Sequence, residues 1–153
     1  MTPILFHVNV PDPLPYACRL LRKAYRAGAR VLVRCPAQDL LELDKVLWAF
    51  EPTEFVPHVV LKAGSPNVRQ REASPIWLAD SLDELPSSPV VLLNLSPEPV
   101  QGVERFERVI EIVSTEPTQL KAARSRWKHY CAMGLAPEKH EVAARDAESS
   151  SPL

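Results

Sequence analysis

The ten residues AGARVLVRCP, positions 27–36, hold the end of one helix, a strand and the start of another helix. Upstream, Ala17, Leu20, Leu21, Ala24 and Tyr25 recur at helical spacing. Arg26 falls in the last turn of that helix, and Gly28 stands where a left-handed C′ residue closes it. The run RVLVRC at 30–35 is short, β-branched and apolar, which reads as a strand. Pro36 suits the first position of a second helix, since its missing N–H would be unpaired there in any case. Leu40, Leu43, Leu47 and Phe50 then repeat at i, i+3, i+7 and i+10 with Val46 alongside, and Pro52 ends the pattern. A helix, a strand and a helix joined by one or two residues is the unit of an open α/β sheet.

The same alternation extends both ways. Residues 4–10 read as a strand closed by Pro11-Asp12-Pro13. Residues 53–60 form a connection with a short strand, and 62–74 an exposed loop without aliphatic periodicity. Strands are expected at 76–79 and at 90–95, where VVLLNL is a continuous apolar run of the kind found inside a parallel sheet. A short helix is expected over 99–106, a strand over 109–113, and a last helix over 118–133 stopped by Gly134. From Ala136 the chain turns polar and reads as a disordered tail. The expectation is one α/β domain over residues 1–135 and a tail over 136–153, the domain being an open, largely parallel sheet with helices on both faces. It is Rossmann-like in class but has no glycine phosphate loop.

That last point comes from composition. The 153 residues include sixteen prolines and only four glycines. Gly28, Gly64, Gly102 and Gly134 stand apart, so neither G-x-G-x-x-G nor G-x-x-x-x-G-K-[ST] occurs. Loops that cradle phosphate need glycine so that backbone N–H groups can converge on the anion. The net charge is −1, which gives no sign of a polyanion partner in the total. Four acidic and two basic residues lie in 136–153, so the body is close to neutral and its positive charge is local. The three cysteines, Cys18, Cys35 and Cys131, lack C-x-x-C spacing and have apolar neighbours. They are expected as buried free thiols of a reducing compartment. The N-terminal segment has no basic region ahead of its apolar run, and no apolar run reaches the ~18 residues of a membrane span. The expected location is the cytoplasm, with no membrane contact.

Catalytic patterns are missing. His7, His58, His129 and His140 are scattered, with no H-E-x-x-H, and no G-x-S-x-G elbow occurs. His58 reads as a structural histidine. Cys35 precedes a helix N-terminus, but no base is near in sequence, so it reads as an inert thiol. No catalytic residue, cofactor or metal site is expected.

Two surfaces stand out instead. Between Glu116 and Glu138 no acidic residue occurs, while Lys121, Arg124, Arg126 and Lys128 surround Trp127. On a helix, Leu120, Ala123, Trp127, Tyr130 and Cys131 share an apolar face, and Lys121, Arg124 and Lys128 line its border. Such a strip suits a ligand that is both acidic and apolar. The second surface is the aromatic cluster Trp48, Phe50, Phe55 and Val56 beside prolines, a composition typical of anchors for protein partners.

Three blocks carry a resemblance: AGARVLVRC at 27–35, LDKVLWAFEPTEFVPH at 43–58 and ARSRWKHY at 123–130 followed by Gly134. Together, in this order, they resemble the chi subunit of bacterial DNA polymerase III over roughly residues 3–135. The resemblance implies a non-catalytic accessory protein. Members of that family pair with the psi subunit, which joins them to the clamp loader, and grip the acidic C-terminal tail of single-stranded-DNA-binding protein. It implies tail-binding roles for Arg124, Trp127 and Lys128, with Lys121 added on helical geometry alone. Trp127 stands where a tyrosine is also found, which keeps the stacking surface and loses a hydroxyl. It implies a psi-facing role for Trp48 and Phe55, with Phe50 and Val56 beside them in the block. DNA would be met only indirectly. The alternative from the residues alone is a domain that binds single-stranded nucleic acid directly, using the same cations with Trp127 and Tyr130.

Overall fold

The computed structural model describes residues 1–49, 55–61, 74–82 and 90–142. The strands are β1 (Ile4–Val10), β2 (Val31–Arg34), β3 (Val59–Leu61), β4 (Ile76–Ala79), β5 (Val91–Asn94), β6 (Arg108–Ser114) and β7 (Glu138–Glu141). The helices are α1 (Pro13–Arg26), α2 (Ala37–Ala49) and α3 (Pro117–Ala132), with a 3-10 turn at Val103–Arg105. The strands form one sheet in the order β3-β4-β2-β5-β6-β1-β7, and every neighbouring pair is parallel.

Alternation along each strand divides the apolar side chains between two layers. Val31, Val33, Leu78, Leu93 and Ile110 face α1 and α2, where they meet Tyr16, Leu20, Leu21, Leu40, Leu43 and Leu47. Leu32, Trp77, Leu92 and Val109 face the other way, toward Ala123 and Tyr130 of α3 and toward Val100, Val103 and Phe106. Helices therefore cover both faces, as the sequence indicates, but unequally.

Gly28 and Gly134 close α1 and α3 in the same way. Each has a positive φ, +77° and +80°. At α1 the Gly28 N–H donates to the Tyr25 carbonyl at 3.1 Å and Ala29 N–H to Ala24 at 2.9 Å. At α3 the Gly134 N–H donates to Cys131 at 3.0 Å and Leu135 N–H to Tyr130 at 3.1 Å. These paired bonds satisfy the carbonyls that a helix end leaves open.

Four expectations are corrected. Residues 138–141, assigned from sequence to a disordered tail, add β7 to the sheet edge, with Leu5, Phe6, His7 and Val8 opposite Glu138, Lys139, His140 and Glu141. A polar strand forms there because an edge position needs backbone pairing and little apolar burial. Val142 N–H extends the pairing to the Val8 carbonyl, and Asn9, in a left-handed turn at φ +64°, donates its side-chain amide to the Val142 carbonyl. Second, the helix expected over 99–106 shrinks to the 3-10 turn, opened by Gly102 at φ +67°. Third, α1 starts at Pro13, four residues before the apolar repeat begins at Ala17, because proline is favoured at a helix's first turn. Fourth, Cys18 and Cys35 are buried but Cys131 is exposed. The expected helix end at Pro52, Phe50 and most of the 62–74 loop lie outside the described residues.

Candidate functional site

The helix α3 is anchored from below by charge. Glu111 lies in the middle of β6 and is fully buried, and Arg126 on α3 is 4% exposed. Arg126 Nε donates to Glu111 Oε1 at 3.0 Å. Asn94 Nδ2 and the Tyr130 hydroxyl donate to Oε2 at 3.0 and 2.6 Å. The Tyr130 oxygen in turn accepts from Val100 N–H at 2.9 Å, and Arg126 Nη1 reaches the Pro97 carbonyl at 3.3 Å. Burial pushes the Glu111 carboxyl above the ordinary carboxylate range, and Arg126 with the two neutral donors pulls against that shift. At the N-terminus of α3, Glu116 accepts from Thr118 and Gln119 N–H at 3.0 and 2.9 Å. Those two bonds hold the Glu116 carboxyl below its usual value.

With Arg126 turned inward, its neighbours face outward. Arg124 and Lys128 are exposed and Trp127 is half-buried. The Trp127 ring meets Phe6 of β1 edge-on, with centroids 5.0 Å apart. A groove of about 720 Å³ runs beside them. Its floor is Phe6, Val8 and Val113, one wall is Leu120, Ala123, Arg124 and Trp127 of α3, and the other side is Lys139 and Glu141 of β7. The structure thus brings Arg124 and Trp127 together on an apolar floor. Lys121 and Lys128 are exposed on the same helix but do not line the groove. Among the described residues Lys121, Arg124 and Lys128 form no ion pair. A groove that is apolar below and cationic at its border can hold an acidic peptide with an apolar end.

The aromatic cluster sits at the end of α2, on the opposite face of the sheet. Trp48 is 49% and Phe55 60% exposed, with ring centroids 5.0 Å apart. Trp48 also lies 4.4 Å from the His58 ring. His58 is held by Asp44 Oδ1 at 2.9 Å and the Val56 carbonyl at 2.8 Å, so it is a structural histidine that supports the patch. Leu41, about two turns before Trp48 on the same side of α2, is also exposed, at 68%, although sequence reading passed over it. Val56 does not belong to the exposed patch. At 3% exposure it packs into the α1–α2 core, while its neighbour Phe55 is exposed. Phe50 is outside the described residues.

Sequence reading also missed the inward role of Arg126 and the place of Lys139. The signal for Arg126 was present: an acid inside the apolar strand RVIEIVS, and a base between Ala123 and Tyr130 on the buried side of the next helix.

The cleft at the carboxyl ends of β2 and β5, about 520 Å³, is lined by Cys35, Asp12, Asp39 and Arg126 among others. Ligands of open α/β folds often occupy this position. Here burial, reinforced by Asp39 and Asp80, pushes the Cys35 thiol up to about 12, so it is not a nucleophile at neutral pH. Among the described residues no group of three or more His, Cys, Asp and Glu side chains could hold a metal ion. No helix among them is long and apolar enough to cross a membrane.

Comparison with known proteins gives one consistent result. A family model described as DNA polymerase III chi subunit, HolC, matches residues 1–138. The DNA polymerase III subunit chi of Pseudomonas aeruginosa is 34% identical over 149 residues, covering 93% of this chain and 98% of the relative. Those of Haemophilus influenzae and Escherichia coli are 30% and 28% identical over 113 and 119 residues, covering 73% and 77% of this chain and 75% and 78% of the relatives.

Proposed function

Since the chain belongs to the DNA polymerase III chi subunit family, we propose that it works as a non-catalytic bridge within the polymerase assembly. One end of the bridge is the groove beside α3, which takes the acidic C-terminal tail of single-stranded-DNA-binding protein. The other is the Trp48–Phe55 patch, which takes a psi subunit and through it the clamp loader. The observation that carries this reading is the placement of the two surfaces. Arg124 and Trp127 lie on the α3 side of the sheet, and Trp48 and Phe55 close the α2 side. A single rigid sheet between two docking sites lets both partners stay bound at once.

In the groove, the Arg124 guanidinium would hold a tail carboxylate through paired N–H donors beside Trp127, and the tail's apolar end would lie against Leu120 and Val8. DNA is then met through the tail alone, and the site of action is the cytoplasm. Ordering a flexible tail for a few contacts gives modest affinity, on the order of micromolar. A tether of that strength can let go as the polymerase moves. The alternative, direct binding of single strands, is favoured by the exposed Lys121 and Lys128 outside the groove. It is opposed by the small basic footprint on a near-neutral body.

The test is a three-way reconstitution. The chain, psi and tail peptide are expected to form a ternary complex on a sizing column, without oligothymidine binding by the chain alone. Competition between psi and the peptide for one site, or tight oligothymidine binding with a steep salt dependence, refutes the bridge.

A further inference from the structure

The groove beside α3 has a second charged side that the helix does not supply. In the parallel pairing of β1 and β7, Phe6 stands opposite Lys139 and Val8 opposite Glu141. Paired positions of neighbouring strands project to the same face, so Lys139 and Glu141 stand with Phe6 and Val8 on the α3 side. Both line the groove together with Arg124 and Trp127. His140 between them projects to the other face, where its ring meets that of His7 at 5.5 Å.

Two positions along a strand are about 6.6 Å apart. A cation and an acid therefore stand at two levels of one groove. Lys139 is level with Phe6, whose ring packs on Trp127. Because α3 returns the chain between the parallel strands β6 and β7, it runs opposite to them, and Glu141 lies toward the Leu120 end. Carboxylates are attracted at the first level and repelled at the second. Lys121 and Lys128 do not line the groove.

We infer that Lys139 is the second cation of the peptide site, on the side of the groove across from the wall that carries Arg124, and that the Lys139–Glu141 pair sets the direction in which an acidic peptide lies. Its aspartates occupy the Trp127–Lys139 end, and its uncharged residues extend toward Leu120 and Val8. This inference rests on the acidic-tail reading of the groove and adds to it a recognition element that belongs to β7. It also gives a use to a strand that burial alone does not demand.

The experiment is a titration of the full chain with a short synthetic peptide carrying several aspartates ahead of a C-terminal phenylalanine. The variants are Lys139→Gln, Lys139→Glu, Glu141→Lys and Arg124→Ala. All three positions are exposed, so folding is expected to be unaffected. Lys139→Gln is expected to weaken binding about threefold and Lys139→Glu about tenfold, while Glu141→Lys tightens it. If Arg124→Ala weakens binding but Lys139→Glu does not, the role of β7 is overturned and the tail site stands. If neither weakens it, the tail reading itself fails, and this inference with it.

Discussion

Arg126 Nε and Glu111 Oε1 are 3.0 Å apart beneath α3, and both side chains are closed off from solvent. This buried pair fixes which side of α3 faces the sheet. The residues on either side of Arg126 in sequence therefore face the groove and the solvent. Replacing Arg126 by Ala leaves Glu111 buried without its countercharge, and the expected loss of stability is about 3–5 kcal/mol. Replacing both residues together costs less than the two single changes added, because the stranded charge is gone. Urea denaturation of the two single variants and the double variant checks this, and additive losses would show that the pair is not coupled.

Tyr130 ties the same network to the loop before the 3-10 turn. Its hydroxyl donates to Glu111 and accepts from Val100 N–H. Tyr130→Phe keeps the ring and leaves both partners short of one bond, so a loss of about 1–3 kcal/mol is expected in the same denaturation assay. An unchanged midpoint would mean that the hydroxyl contributes nothing.

The seam between β1 and β7 predicts a pH dependence. Burial, with the nearby His140 adding to it, lowers the His7 pKa from 6.5 to about 4. The native state therefore favours neutral His7, and the unfolded chain takes up its proton first. Stability from this site is fully present above about pH 6.5, falls as the pH drops toward 4, and is level below that, with a total of about 3 kcal/mol at most. Carboxylates titrate over part of this range as well, so the difference between the parent chain and His7→Gln isolates the histidine. The gap between the two in urea midpoint is expected to change between pH 7 and pH 4.5, and parallel pH profiles would exclude the effect.

At the other surface, Trp48→Ala and Phe55→Ala remove half-exposed rings. Each is expected to cost about 1 kcal/mol or less in stability but to release psi, since exposed aromatic anchors dominate interfaces of this kind. Peptide binding at α3 should be unchanged. Co-elution of either variant with psi on a sizing column would show that the patch is not the contact.

The parallel sheet was legible because its strands are buried on both faces. VVLL at 90–93 and VLV at 31–33 are unbroken apolar runs, and glycine or proline lies near their ends. β7 was not legible, since EKHE has neither apolar alternation nor β-branched residues and is held by backbone pairing with β1. The basic border of α3 could be drawn from helical spacing. Which of its cations would line a groove could not, because that depends on where β7 lies. Helical spacing also placed Cys131 on the apolar face, yet the thiol is exposed. Trp48 and Phe55 were found by their company of prolines. The burial of Val56 depended on which way each residue of that connection faces, which composition does not carry.

Everything proposed for the α3 groove depends on the Arg124 guanidinium at its edge. The most direct test is calorimetric titration of the acidic tail peptide into the psi complex of the parent chain and of Arg124→Ala, at low and at moderate salt. The parent is predicted to bind with a dissociation constant on the order of micromolar that weakens with added salt. Arg124→Ala is predicted to retain psi and to lose the peptide. Equal peptide affinity in the two proteins would contradict the account.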